Sequence, residues 1–572
     1  MTASSLASPH EQSAREPSAR AWRGRGFILG LLAAGVSLSV METARAAYIG
    51  ADAVEPASLL GSNAGDFDLD GVITIGRDAT GALTVNDSSQ VTATQGSNIG
   101  RNSGGNGTLT VDGPGSLFQL KGTQTNGNGA FFNIGAGGTA TVTVSGGGVV
   151  EQIGEGPNSA MNIGGSGATS FGGTATVTVT GTGSRLTVRS DGADLNVGRS
   201  ATGTLRILNG ATAEADNTDV NDANFAFGGL RVGTRENAAF ATHGTVEIDG
   251  TGSTLTVNGA IDSSWLGRFG GTGEMTVSNG GTLDINGEDT LFWVARDGGS
   301  TGNLTVTSGG TVDVSGTVDS DILIGFASGG GTGGTGTVTV NGANSLLKAG
   351  DAVAVGAPTS FGGGTSSGTL NVSNGGTVEA VSVYVGNGGV LSGNGTVNAD
   401  LVLDGGTINP GNSPGTLRIN GHFTYMGGTI ILEVEEDGLG GFVTDRLLFD
   451  TGATPTLLGA DIAFVFLGET DPEAFAASGL FNLSTFLRAD DGAGGDDPLG
   501  ALGTLLAGAT YSATAQNYSI SNFAFDTTVG VQSLVATGIP EPGTLALFTV
   551  GLWGLGVMRR RHRAAGRSSA QG

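Results

Sequence analysis

The 572 residues contain no cysteine and only two lysines, Lys121 and Lys348. Without cysteine there is neither a disulfide framework nor a thiolate metal site. A folded body must then rest on apolar burial and backbone hydrogen bonds. Histidine is also scarce. Of four, only His243 and His422 fall in the central part, far apart, so no metal-spaced cluster can be assembled from them. The glycine-rich string 329–336 lacks the Lys-Ser/Thr of a phosphate loop and is expected to form turns. Positive charge is short overall. The formal charge is −26, and ten of the 25 basic residues lie in 1–46 or after Met558, against three of the 51 acids. The stretch between therefore carries −33, which repels nucleic acid and anionic lipid and attracts divalent cations diffusely. No nucleic-acid partner is expected.

Glycine is abundant, with 108 residues, more than twice the usual share of about 7%. It is distributed with a period. An apolar residue followed by glycine recurs at Ile75-Gly76, Ile99-Gly100, Ile134-Gly135, Ile163-Gly164, Val197-Gly198, Val232-Gly233, Leu266-Gly267, Ile324-Gly325, Val355-Gly356 and Val385-Gly386. Trp293-Val294-Ala295 is a degenerate copy, and the mean spacing is about 31 residues. Between these marks lie alternating segments such as GTLTV at 107–111, GTATVTV at 173–179 and GTVTV at 336–340, with second strands such as SRLTV at 184–188 and STLTV at 253–257. Alternation of apolar residues with Thr, Ser or Asp is the signature of strands, and Gly and Asn mark the turns.

These features predict an all-β fold, a parallel β-helix of about 11–12 coils with equivalent strands stacked in register. At a spacing of about 4.8 Å the rod would be roughly 55 Å long. The expected organisation is a signal peptide over 1–46, an N-terminal cap over 47–70 and β-helix repeats over 71–429. A β-rich C-terminal cap follows over 430–538, then a sorting signal with a transmembrane helix over 539–563 and a disordered tail over 564–572.

The two ends carry export signals. Arg15, Arg20, Arg23 and Arg25 precede an apolar stretch from Phe27 to Val40, and Ala44-Arg45-Ala46 places small residues at a cleavage site before Ala47. That is the form of a secretory signal peptide. Gly24 separates Arg23 from Arg25, so general secretion is expected rather than the twin-arginine route. At the other end, Pro540-Glu541-Pro542 leads into the apolar run Thr544–Met558, followed by Arg559, Arg560, Arg561 and Arg563. The run is about 22 Å long as a helix, short for a bilayer core of about 30 Å unless it extends back to Ile539 and the arginines snorkel. The basic stop sets those arginines on the cytoplasmic side.

Tripeptide, apolar run and basic cluster together resemble the PEP-CTERM sorting tail of Gram-negative envelope proteins. The resemblance implies exosortase and the secretion machinery as partners, transient residence in the inner membrane, and delivery to the cell surface or extracellular matrix. It also implies association with exopolysaccharide and biofilm. The repeat body resembles the passenger β-helices of autotransporter adhesins, most closely at Asn409-Pro410-Gly411-Asn412-Ser413-Pro414-Gly415-Thr416-Leu417. The C-terminal barrel of that family has no counterpart here, since about 110 residues separate the repeats from the tail.

Three further sites follow from the residues. Asp66, Asp68 and Asp70 with Gly71 match the opening of a calcium loop, but Arg77 stands where the closing carboxylate belongs, so an acidic turn is the competing reading. Trp265, Trp293 and Tyr384 fall at or beside the repeat mark, as a core ladder or as a sugar-stacking stripe. Acidic pairs such as Asp219/Asp222 and Asp319/Asp321, with Arg185, Arg199, Arg231, Arg235 and Arg268, are the material a polysaccharide lyase or hydrolase on a β-helix would use. Nothing in their spacing makes them converge. The expected function is thus a non-catalytic envelope or matrix protein, structural or adhesive, with a polysaccharide-active enzyme as the alternative.

Overall fold

The computed structural model describes residues 48–538, apart from positions 64, 125–126, 155–158, 167–171, 190–193, 218–228, 260–263, 288–289, 317–319, 327–330, 360–361, 363, 412, 451–454, 491–494, 501 and 528–529. The chain divides into two compact units, Met1–Ala44 and Arg45–Gly572, and every described residue belongs to the second.

Nearly all the strands form one sheet that winds into a solenoid with three parallel ladders. The first ladder begins at Thr80–Val85, then Asn106–Asp112, Thr139–Ser145 and Thr174–Thr180. It continues rung by rung to Asp461–Phe466 and Thr510–Ala515. The second ladder starts with Phe67–Leu69 against Gln90–Ala93, and the third with Val72–Ile75 against Gly96–Ile99. Along each strand, alternate residues point inward. Leu83, Leu109, Val142, Val177, Leu205, Val246, Met275 and Leu304 therefore stand in one buried column, continued by Val338, Leu370, Leu391, Ile408, Ile430 and Ile462. Each such aliphatic side chain contributes about 1.5–3 kcal/mol by leaving water.

The glycine of every mark but the last, Gly386, makes the corner between the third and first ladders. Gly76, Gly100, Gly135, Gly164, Gly198, Gly233, Gly267, Gly325 and Gly356 all have φ between +63° and +80°. Backbone also passes close by. A Cβ on Gly233 would lie 2.0 Å from the Thr272 carbonyl oxygen, and one on Gly164 2.2 Å from that of Thr202. The degenerate mark keeps the same conformation without glycine, with Ala295 at φ +66°. In the next coil Gly334 leaves room for the Ala295 methyl, and the strand Thr332–Asn341 shifts register against the following strand Thr365–Ser373 between Thr332 and Thr335.

Fourteen consecutive pairings give the first ladder fifteen rungs among the described residues, more than the 11–12 coils expected. Two departures from the fixed period account for the difference. After Thr365–Ser373 the coils tighten, and the 15-residue strand Thr396–Pro410 passes through all three ladders without a loop. The ladder then crosses residue 430 inside the strand Phe423–Glu436, so the expected change of architecture there does not interrupt the stacking. Longer apolar runs after 430 conceal the repeat in the sequence but not in the pairing.

Both ends are closed. Tyr48–Asp52 and Val54–Glu55 pair antiparallel on the first coil, and Leu59 is fully buried beneath them. At the far end lie the short helices Pro472–Ala477 and Leu483–Phe486 and the hairpin Tyr518–Asp526/Gly530–Gly538, which forms its own two-stranded sheet. Phe464, Phe466, Phe475, Phe481, Phe486, Phe523 and Phe525 pack there with ring centroids 4.9–6.3 Å apart. No helix among the described residues is long and apolar enough to cross a membrane. The transmembrane helix expected over 539–563 lies outside those residues and gains no support from the structure.

Candidate functional site

The three carboxylates expected to open a calcium loop lie on or beside an extended strand, Phe67–Leu69. Two are committed to the next coil. Asp66 Oδ1 accepts the Gln90 backbone N–H at 2.9 Å, and Asp70 Oδ1 accepts the Thr94 hydroxyl at 2.7 Å. Asp68 is exposed and sits opposite Thr92. No group of three or more His, Cys, Asp or Glu among the described residues could hold a metal ion. Asp66 and Asp70 thus join the first two coils.

The outer face of the third ladder carries a polar and aromatic constellation. Asn98, Asn133, Asn162 and Asn196 stack in register, each amide donating to the one before at 3.2, 2.9 and 3.1 Å. The same column continues through Arg231, Trp265, Trp293, Leu323, Ala354 and Tyr384. Trp265 is 3% and Trp293 2% exposed. Arginines cover their ring faces. Arg268 lies 4.3 Å and Arg231 4.9 Å from the Trp265 ring, and Arg296 lies 4.5 Å from that of Trp293. Phe326 stacks on Trp293 at 5.9 Å, and the Trp265 indole N–H donates to Thr234 Oγ1 at 2.9 Å. The indoles form a covered satellite core with Leu323, Ala354 and Ala357, and leave no open platform for a sugar ring.

The arginines are themselves held. Arg231 pairs with Asp194 at 2.5 Å, Arg199 with Glu236 at 2.8 Å and Arg268 with Asp297 at 3.3 Å. Burial pushes the Asp194 carboxyl up to about 7 against the pull of Arg231 and Arg199. Burial likewise lowers the Arg231 and Arg268 guanidinium groups from their ordinary value. The sequence contains a signal for both rows that appears once the marks are aligned. Asparagine stands two residues before the mark glycine in four coils. Arginine directly follows the mark at Arg77, Arg101, Arg199, Arg268 and Arg296.

Other candidate groups do not meet. His243 begins the first-ladder strand His243–Asp249 and approaches Glu274 at 3.5 Å. His422 precedes Phe423–Glu436, seven rungs on, or about 34 Å. Asp321 Oδ1 accepts the Ala352 N–H at 3.0 Å, and Arg185 is exposed on the second ladder beside Val149 and Thr212. Asp219, Asp222 and Asp319 lie outside the described residues, as do Ala44, Ala46, Pro540, Glu541, Pro542, Arg559, Arg560, Arg561 and Arg563.

Residues 538–561 match the PEP-CTERM protein-sorting motif. No curated protein matches the chain. The motif identifies an exported, envelope-associated protein sorted by exosortase. It begins at Gly538, the last residue of the closing hairpin, so the folded body and the sorting segment join without a spacer.

Proposed function

We propose that this protein is a non-catalytic component of the cell surface or extracellular matrix, structural or adhesive in an exopolysaccharide and biofilm setting. The secretion machinery exports it, the tail places it transiently in the inner membrane, and exosortase processes it for release outward. The observation that carries this reading is the unbroken fifteen-rung first ladder, closed at both ends and followed at once by the sorting motif. Such a body is a stiff spacer. Its stability is a sum over neighbouring coils, and its surface repeats hydroxyl, amide and carboxylate groups along the rod.

The test uses the purified protein and acidic or neutral exopolysaccharides. Retention on the polymer without turnover is expected. Shortening of the polymer, or accumulation of unsaturated ends detected by ultraviolet absorbance, would establish the lyase or hydrolase instead.

A further inference from the structure

The outward face of the first ladder carries a flat grid of threonines. Thr108 and Thr110, Thr141 and Thr143, and Thr176 and Thr178 stand in three successive strands, in register across them. Neighbours are about 4.8 Å apart between rungs and about 6.7 Å apart along a strand. Thr204 and Thr245 extend one row over two further rungs. Threonines recur later at Thr305 and Thr339 and at Thr337 and Thr369. The grid residues are half-exposed or exposed, while every alternate residue is buried.

Two properties define what this surface fits. The strands Asn106–Asp112, Thr139–Ser145 and Thr174–Thr180 present no aromatic ring, and Asp112, bonded to the Ser145 hydroxyl at 2.6 Å, is their only charge. Beyond the grid the second row continues as Arg206, which is paired with Glu247 at 3.2 Å, and the ring of Phe240 lies at the edge against Gly172. The three strands themselves thus offer neither a cation to an acidic glycan nor an aromatic platform to a pyranose face. Beside the grid runs an open groove of about 310 Å³, lined by Gly104, Gly105, Gly137, Gly138, Gly172 and Gly173 with Asn106, Thr139 and Thr174. The glycines give that flank of the grid a low floor. Threonine is stiff at χ1, so each hydroxyl and methyl is held in one orientation by the sheet before any ligand arrives. Little ordering entropy remains to be lost on binding.

The geometry points to crystalline water as the ligand: the first-ladder threonine grid is an ice-binding face. The hydroxyls hold lattice waters, and the methyls order the waters between them. This inference is independent of the adhesive reading, since its expected readout is partition into ice.

The purified protein is placed in contact with slowly growing polycrystalline ice. Enrichment in the ice fraction and slowed recrystallisation are expected. The double variant Thr141→Glu/Thr176→Glu should lose roughly tenfold of that enrichment, equivalent to about 1.4 kcal/mol. Thr282→Glu, on the second ladder, should keep it. Thr141→Ser/Thr176→Ser, which removes two methyls without adding charge, should also lower it and guards against a folding failure of the first variant. Exclusion of the unmodified protein from ice overturns the inference. So does equal loss in Thr282→Glu, or binding to a crystalline neutral glycan with no enrichment in ice.

Discussion

At the scale of single residues, close approach of backbone decides more than side-chain chemistry. Gly233 combines φ +71° with a Cβ position 2.0 Å from the Thr272 carbonyl oxygen. Gly233→Ala should therefore lower stability by about 3 kcal/mol or more, beyond the 1–2 kcal/mol of left-handed strain alone, as read from the denaturant midpoint. Ala295 holds the same conformation, and the glycine at 334 in the next coil leaves room for its methyl. Titration gives a second prediction at this scale. Burial raises both Asp194 and Asp445 to about 7, although Asp445 accepts the backbone N–H groups of Gly415 and Glu433 at 2.8 Å each. The folded state then holds protons that the unfolded chain releases near pH 4, so stability should fall as pH rises from about 4 to 7. The unfolding free energy at pH 5 should exceed that at pH 8, by on the order of 1 kcal/mol for each group, and the denaturant midpoint should move with it. An equal or rising midpoint would show that these carboxyls are not raised.

At the scale of elements, the closing structures matter as much as the coils, because an open solenoid end exposes both its core and a row of unpaired backbone groups. Phe481 is 2% exposed and contacts the rings of Phe464, Phe466, Phe475, Phe523 and Phe525. Phe481→Ala should cost about 3–5 kcal/mol. It should also speed amide hydrogen exchange in Tyr518–Gly538 before exchange rises in the coils. Uniform exchange across hairpin and coils would mean that the hairpin is not held through these rings. The sequence revealed the elements unevenly. GTLTV-type strands and mark glycines were legible because alternation and turn chemistry are local. The tight coil Thr396–Pro410 was not, because it turns its corners within one strand, the second at Asp404-Gly405-Gly406, with no loop to keep the 31-residue spacing.

At the scale of the whole molecule, the sorting motif and the body meet at Gly538. Deleting Pro540–Arg563 should change the localisation or release of the protein, measured by fractionating cells and medium. Intact mass of the released form should show trimming after Ala46 and near Pro540, and unchanged delivery and processing would sink the sorting assignment. The sequence by itself determined the address, the acidity, the solenoid class and most inward-facing residues, since each is written in a contiguous motif or a short period. Only the tertiary structure decided how far the ladders run, that the strand Phe423–Glu436 carries them past residue 430, and that Trp265 and Trp293 lie under arginines. It also decided that Asp66 and Asp70 bond to the next coil. The physical reason is stacking. A residue's neighbours in a solenoid lie one coil away, from 17 to 49 residues along the first ladder, and coil length varies with the loops. Which side chains meet is thus set by register, which no local pattern records.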